Sequence, residues 1–202
     1  MSEKIVVIHQ PDFLPHLGFF HRLLRADVFI ILDHAPISKR GWVHRDKIKT
    51  ALGEVWITIP VKKIGSQPVI MDAEIEYNAQ LEKVPRLIQS NYSSAPYYRE
   101  IYPPLITELK KRPISLLDYN LGLLMLLLEW FDINIAHMPR SSSLGITTRK
   151  SQMNADLVRT VGGNTYLSGT GAKDYHEDSP FLDTGIAVVW QEFKHPVYPQ
   201  LY

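Results

Sequence analysis

Residues 4–32 run through a strand pattern, a helix pattern and a second strand pattern, and this order restricts the fold more than any other feature of the chain. Residues 4–9 hold four consecutive β-branched side chains, which predicts a strand buried on both faces. Residues 17–26 carry leucine and phenylalanine at helical spacing, and residues 28–32 are a second apolar run. Strand, helix and strand within so short a length are typical of a parallel sheet. We therefore predict an α/β fold: a mostly parallel, Rossmann-like sheet with flanking helices and a helical insertion or cap.

The rest of the chain alternates between shorter strand and helix patterns. Further strands are predicted over residues 54–61, 69–77, 133–137, 165–167 and 186–190, and a turn over residues 65–68. Helices are predicted over residues 80–92, 97–110, 115–131 and 148–161, the last capped by threonine and ended by Gly162-Gly163. The sequence has no recognisable internal repeat, so the simplest organisation is a single domain over residues 1–202, with its helical part at about residues 79–131.

The composition excludes several classes of chemistry. The chain has 202 residues, 45% of them hydrophobic, which is enough for one well-buried core. It contains no cysteine, so disulfides, thiolate zinc sites and cysteine nucleophiles are excluded, and a reducing compartment fits. A net charge of +1 argues against a broad nucleic-acid surface.

No targeting or membrane-spanning segment is recognisable in the sequence. The apolar run at residues 5–8 is too short for the core of a signal peptide. Residues 114–131 are leucine-rich, but polar side chains interrupt them well short of the ~20 apolar residues that span a bilayer. We expect a cytoplasmic protein without a transmembrane segment, while a monomer and an oligomer both remain open.

The first candidate site lies where the first two predicted strands end. Ligands of open parallel sheets bind outside the carboxyl ends of the strands, and His9, Gln10, Asp12, His16 and Asp33 all fall there. His9 and Asp12 are suited to an acid–base pair, or His9 and His16 to sharing a phosphate. In the structural alternative, His9 only caps the strand and Asp12 forms a local turn.

The second candidate is a basic loop over residues 39–49. Lys39, Arg40 and Arg45 are suited to binding phosphate or carboxylate, and Trp42 to stacking on a base or a sugar. The alternative is a solvated, charged loop with Trp42 folded inward.

Two further segments carry weaker signals. The loop at residues 168–175 offers Ser168, Gly169, Gly171 and Lys173 for an anion-binding turn of backbone N–H groups, although it does not match the Walker pattern. Residues 191–202 follow the last predicted strand. Their polar side chains, Glu192, Lys194 and His195, could complete a pocket or belong to an irregular tail. The histidines are scattered without the helical spacing of a zinc motif, so no metal site is predicted.

Several blocks of residues, spread nearly from end to end of the chain, match the pattern of one known family. They are residues 8–20, the Arg25-Ala26-Asp27 helix end, residues 39–49, residues 56–61, Leu144-Gly145-Ile146, residues 166–169 with Lys173-Asp174-Tyr175, and Gln191-Glu192-Phe193 through Tyr198-Pro199-Gln200. In these blocks the chain resembles the WbqC-like proteins, and the resemblance carries implications for function. It implies a role in bacterial O-antigen or lipopolysaccharide biosynthesis, with a glycine-transferase activity suggested for some members. His16 stands where the family pattern has an aromatic residue. The pattern also continues past Tyr198-Pro199-Gln200, and the sequence leaves open whether residues after Tyr202 complete the site.

The leading hypothesis is a transferase that moves a small acyl or aminoacyl group, such as glycyl, onto a sugar or nucleotide sugar. His9 would be the general base, assisted by Asp12 or Asp33, and the basic loop with residues 168–173 would hold anionic groups.

Two alternatives remain. The segment His16-Leu17-Gly18-Phe19 resembles the His-x-Gly-His signature of nucleotidylyltransferases. Lys150 would correspond to the lysine of the second loop in those enzymes. This alternative would use Mg²⁺ with a nucleotide. The other is a non-catalytic binding or scaffold subunit of a polysaccharide pathway.

Overall fold

The computed structural model of the chain describes residues 2–62 and 68–202, so the turn predicted over residues 65–68 lies outside the described residues except for Pro68. The strands are β1 (Ile5–His9), β2 (Val28–Ile31), β3 (Arg45–Thr50), β4 (Gly53–Thr58), β5 (Thr165–Ser168) and β6 (Ala187–Trp190). The helices are α1 (Leu17–Leu23), α2 (Lys83–Tyr92), α3 (Tyr98–Leu109), α4 (Leu116–Trp130), α5 (Lys150–Thr160) and α6 (Ser179–Thr184). Short 3₁₀ helices occupy Ile70–Asp72, Ser141–Leu144 and Thr170–Tyr175.

The chain divides into two compact units. The sheet unit comprises Met1–Gln10, His16–His34 and Phe131–His195, and the helical unit comprises Pro11–Pro15, Ala35–Trp130 and Pro196–Tyr202. Each unit is therefore assembled from segments distant in sequence.

The sheet unit is built on four parallel strands in the order β2-β1-β5-β6. β1 pairs with β2 on one side, with His9 opposite Ile31, and with β5 on the other, with Val6 opposite Tyr166. The chain moves outward in one direction from β1 to β2 and in the other from β5 to β6. The parallel α/β fold predicted from residues 4–32 is confirmed.

Apolar residues cover both faces of this sheet. Val6 and Ile8 of β1 belong to one buried cluster with residues of α5 and α6, including Val158 and Phe181. Because successive strand residues point to opposite faces, Phe29 of β2 lies on the other face, where its ring centroid is 5.7 Å from that of Phe19 in α1. A parallel sheet buried on both faces explains the continuous apolar runs in the sequence.

The helical unit combines an antiparallel hairpin, β3–β4, with α2, α3 and α4. α4 supplies much of its core, with buried residues Leu116, Leu117, Tyr119, Asn120, Leu123, Leu124 and Leu128. The buried Asn120 amide donates to the carbonyl oxygens of Pro11 at 2.7 Å and Val43 at 2.6 Å. One polar side chain of α4 thus satisfies two backbone carbonyls of the loops beside it.

Several predicted elements were wrong. The strand predicted over residues 54–61 is present as β4 (Gly53–Thr58), but it pairs with β3 in the hairpin, because residues 45–50 of the expected basic loop are themselves extended. Residues 69–77 form a 3₁₀ turn whose backbone bridges to three different partners, Pro36, Val61 and Ser115, so no continuous ladder develops.

Three elements in the carboxyl half of the chain also differ from the prediction. Residues 133–137 make a single bridge, from His137 to Val28, instead of a strand. Arg149, not a threonine, stands at the N-cap of α5, and the Thr148 hydroxyl donates to Asp156 at 2.7 Å. The short helix α6, which has a proline in its first turn, was not predicted.

Among the described residues, no helix has the length and apolar character to cross a bilayer.

Replacing Gly163 with alanine tests how tightly α5 packs on β1. A Cβ at Gly163 would lie 2.3 Å from Cγ2 of Val6 and 3.1 Å from the carbonyl oxygen of Val158, and the backbone carbonyl cannot rotate away. We expect Gly163→Ala to lower the free energy of unfolding by about 1–3 kcal/mol in urea denaturation. Gly171→Ala is the matched control, since its Cβ would meet nothing within 4 Å, and equal stability of the two variants would contradict the prediction.

Candidate active site

The carboxyl ends of the four parallel strands place the sheet unit's candidate residues along one edge. Across the sheet, Asp33 follows β2, His9 ends β1, Ser168 ends β5 and Gln191 follows β6. The strand order reverses between β1 and β5, which is where open α/β sheets bind ligands. His9 and the Ser168-Gly169 segment flank this position.

His9 is held as a neutral imidazole. Its Nδ1 lies 2.9 Å from the carbonyl oxygen of Gln10, which can only accept, so the proton resides on Nδ1 and the lone pair on Nε2. Its ring is nearly perpendicular to that of Phe19, with the two centroids 5.1 Å apart. Burial, with the nearby Arg22 guanidinium as a second cause, lowers the pKa of His9 to about 3. His9 is therefore a proton acceptor at neutral pH.

Arg22 is a buried cation of the same unit that sequence reasoning missed. It lies on α1 and is only 6% exposed. A Cβ at Gly169 would come within 2.6 Å of its Nη1, so the absence of a side chain at Gly169 permits the guanidinium to approach the end of β5. Arg22 also lowers the pKa of His16, after burial. The Arg22 guanidinium thus contributes to lowering the pKa of both His9 and His16.

The start of α1 packs against the segment after β6. His16 is the N-cap of α1, and its Nδ1 accepts from the amide of Gly18 at 3.0 Å. Gln191 donates through Nε2 to the Gly18 carbonyl at 2.7 Å and to Nδ1 of His21 at 3.1 Å. His195 is close enough to His16 to contribute to lowering its pKa. Residues 191–195 are thus joined to α1 and do not form a detached tail.

Asp33 is engaged by the 3₁₀ helix that begins at Ser141. Its carboxylate accepts from the Ser141 hydroxyl at 2.9 Å, the Ser142 amide at 2.9 Å and the Ser142 hydroxyl at 2.7 Å, and Asp33 is 1% exposed. His34 contacts the same Ser141 oxygen through Nδ1 at 2.6 Å. These bonds favour a structural role for Asp33, and assistance to His9 stays a prediction.

The loop after β5 has a more regular backbone than the anion-binding turn that was predicted. Residues Thr170–Tyr175 form a 3₁₀ helix, and neither Gly169 nor Gly171 adopts a positive φ. The Ser168 hydroxyl is buried, 3.4 Å from the Tyr166 hydroxyl, while Gly171 is exposed. Lys173 places its Nζ 5.5 Å from the ring centroid of Trp190. Anion binding by this loop, as by the exposed Lys194, stays a prediction.

The remaining predicted residues, Asp12, Lys39, Arg40, Trp42 and Arg45, belong to the helical unit. Asp12 is buried, while Lys39, Arg40 and Trp42 are exposed and Arg45 is partly buried. The pairing of His9 with Asp12 stays a prediction. The described residues contain no group of three or more His, Asp or Glu side chains arranged to hold a metal ion.

Some of the missed residues had a signal in the sequence. Arg22 is three residues after Phe19 and one before Leu23, so it lies on the apolar face of α1, where a charged residue is unusual. The serine run at residues 141–143 had no such signal, because its partner Asp33 is 108 positions away from Ser141.

Removing the Asp33 carboxylate tests how much this side chain contributes to the stability of the fold. We expect Asp33→Ala to lower the free energy of unfolding by about 3 kcal/mol, because buried hydrogen bonds to a charged group are lost together. Asp33→Asn retains an acceptor oxygen and should lose less, as measured by urea denaturation. Unchanged stability in both variants would show that the hydroxyls of Ser141 and Ser142 do not depend on this carboxylate.

The depressed pKa of His9 makes the stability of the folded protein depend on pH. Because the folded pKa is depressed from 6.5 to about 3, the folded state binds fewer protons than the unfolded state in this interval. His9 therefore contributes stability that is fully present above pH 6.5 and is lost as the pH falls toward 3. We expect the stability advantage of wild type over His9→Gln to shrink between pH 7 and pH 5, and the His9 ring resonance to stay unchanged in NMR over that range. A midpoint near pH 6.5 would contradict this.

The chain is similar to proteins known from sequence, while no solved structure matches it. It is 29% identical over 204 residues to the protein named "Uncharacterized protein Rv1507c" of Mycobacterium tuberculosis, covering 98% of this chain and 87% of that protein. The family model described as "WbqC-like protein family" matches residues 10–202, which span both compact units. The chain therefore belongs to the WbqC-like protein family.

Proposed function

We propose that this protein is a transferase of surface-polysaccharide biosynthesis that attaches a small acyl or aminoacyl group, such as glycyl, to a sugar or nucleotide-sugar precursor. The family name points toward O-antigen biosynthesis. The observation that carries the proposal is a buried cation, Arg22, in the unit whose sheet edge presents the neutral imidazole of His9. One group is suited to holding an anionic substrate and the other to accepting a proton.

Arg22 supplies the anion-binding half of this chemistry. A guanidinium offers five N–H donors in a planar fork that matches phosphate and carboxylate oxygens. Its low exposure keeps the interaction away from solvent, where an ion pair would be screened. We assign it the phosphate of a nucleotide sugar.

His9 supplies the proton-accepting half. Because burial keeps His9 neutral, it can take up a proton without first losing one, and this suits an amine nucleophile, since a neutral amine attacks before it loses its proton. A hydroxyl would have to lose its proton as it attacks. The nitrogen–carbon bond forms, the bond from the acyl carbon to the leaving group breaks, and His9 relays the proton from nitrogen to the leaving group. The transfer is direct, without a covalent enzyme intermediate.

Nucleotidyl transfer is the second candidate, and the position of His16 favours it. The His16-Leu17-Gly18-Phe19 segment begins α1 directly after β1, with the His16 ring fixed by the Gly18 amide. Phe19, in the place of the second histidine, is buried against His9 and Phe29, so it offers no group for a phosphate. This candidate requires Mg²⁺ and the release of pyrophosphate from a nucleoside triphosphate.

Since the chain has no cysteine and a reducing compartment fits, we propose that the reaction takes place in the cytoplasm.

A thermal-shift screen with matched arginine variants tests the proposal. Nucleotide sugars, nucleoside triphosphates and glycine are tested with and without Mg²⁺, and a ligand at ~100 times its dissociation constant adds about 2.7 kcal/mol of stability. We expect a nucleotide sugar to stabilise wild type. Arg22→Lys should lose the shift because lysine cannot bind two oxygens at once, while the exposed Arg25→Lys on the same segment should keep it.

Turnover is then measured by mass spectrometry of the acylated sugar. His9→Ala should lower kcat by about 10²–10⁴-fold, the usual contribution of a general base. Full turnover in His9→Ala would exclude the proposed base. A shift that needs a triphosphate and Mg²⁺ would favour nucleotidyl transfer, and no shift with any ligand would favour a scaffold protein.

A further inference from the structure

One face of the β3–β4 hairpin gathers aromatic and basic side chains. In the antiparallel register Lys47 lies opposite Trp56, Lys49 opposite Glu54 and Arg45 opposite Thr58. Residues directly opposite share a face, and alternate residues along a strand return to it. Ile57, on the other face, is buried, so the face with the lysines and Trp56 is the solvent side.

Two tryptophans form an exposed platform at the end of this face. The ring centroids of Trp42 and Trp56 are 5.5 Å apart with an interplanar angle of 35°, and the residues are 48% and 42% exposed. The Arg45 guanidinium lies 4.2 Å from the Trp56 centroid, and the Lys47 ammonium 5.1 Å. We refer to Trp42, Trp56, Arg45 and Lys47 as the tryptophan platform. Two half-exposed tryptophans in contact form an apolar patch on the solvent face. Exposed apolar patches of this kind indicate a binding role.

The platform is held on a rigid base. The Trp42 carbonyl accepts from the amide of Phe13 at 2.9 Å, and the neighbouring Val43 carbonyl accepts from the buried Asn120 amide at 2.6 Å. Arg45 donates through Nη2 to the Arg40 carbonyl at 2.8 Å, which fixes the guanidinium over Trp56. A preorganised surface loses little conformational entropy when it binds.

We propose that the tryptophan platform binds an anionic saccharide, with a pyranose ring stacked on Trp42 and Trp56 and its carboxylate or phosphate paired with Arg45. The C–H groups on one face of a pyranose complement the negative π-face of indole. The Arg45 guanidinium beside the Trp56 ring supplies the charge complement of the anionic substituent, and arginine is suited to binding both of its oxygens.

The same elements could stack nucleobases, but the charges disfavour this occupant. Surfaces for single-stranded nucleic acid combine aromatic residues with a continuous basic groove. On this face Lys47 is paired with Glu54, and the whole chain carries a net charge of only +1. A short saccharide with one or a few negative charges matches the platform better than a polyanion.

This inference rests on the proposed function for its ligand class, an anionic saccharide, but saccharide binding in the helical unit does not require transfer. The two can therefore fail independently. Loss of turnover in Arg22→Lys and His9→Ala tests the transferase, whereas the binding measurements below use wild-type protein and helical-unit variants without any donor.

The experiment titrates the full chain with saccharides of matched size, followed by tryptophan fluorescence and isothermal calorimetry. The probes are trigalacturonate, a disaccharide phosphate, neutral maltotriose and oligothymidylate. We expect the two acidic saccharides to bind more tightly than maltotriose, and their ranking distinguishes a uronate from a sugar phosphate. Oligothymidylate binding more tightly than both, or equal affinity for maltotriose, would overturn the proposal.

Variants assign the binding to the platform. Trp56→Ala and, as a milder change, Trp56→Phe should weaken trigalacturonate binding, the first by about tenfold, which is about 1.4 kcal/mol. Arg45→Gln should weaken the acidic saccharides without affecting maltotriose. Tyr97→Ala removes an aromatic residue of the same unit that is 68% exposed and lies outside the hairpin, and it should bind as wild type does. Unchanged binding in Trp56→Ala and Arg45→Gln, with melting curves that show both are folded, would overturn the proposal.

Discussion

The pairing of β1 with β2 on one side and β5 on the other is the interaction on which the rest of the sheet unit depends. A strand in this central position has no exposed edge, and helices cover both of its faces, so nearly every group along it must be apolar or hydrogen-bonded. His9, the polar residue at the carboxyl end of β1, lies in the same buried environment. His9 is neutral because it terminates such a strand, and its chemistry follows from its place in the sheet.

Close approach of the backbone is the second requirement of this unit. Gly163 lets the turn after α5 meet Val6, and Gly169 lets the end of β5 meet Arg22. In both places a methyl group would occupy the space of an existing neighbour. Gly163 thus serves packing, whereas Gly169 serves the position of a charge, and only the second has a direct bearing on the proposed chemistry.

The parts of this molecule that could be predicted from sequence are those governed by local pattern. The apolar runs of β1 and β2 and the spacing of α4 are local, and they were identified. The hairpin was missed in part, because the alternating cations of β3 have the composition of a loop and become a strand only through pairing with Trp56 and its neighbours. Arg22 had a local signal that was overlooked, whereas the partners of Asp33 and Gln191 depend on contacts across most of the chain. His9 and the basic residues were named from position and chemical type, but the tautomer of His9 and the stacking of Arg45 on Trp56 follow only from three-dimensional geometry.

The bonds between Asp33 and the serines at 141 and 142 also bear on the order in which the chain folds. They join residues 108 and 109 positions apart, and the bridge from Ile31 to Arg140 spans 109. Closing a loop of that length has a large entropic cost, and contacts of high sequence separation form late in folding. The β3–β4 hairpin and the pairings of β1 with β2 and of β5 with β6 join residues that are close in sequence, and they are expected to form earlier. The pairing of β1 with β5, which joins the two halves of the sheet, is then expected to form late, and the edge that carries His9 is completed with it.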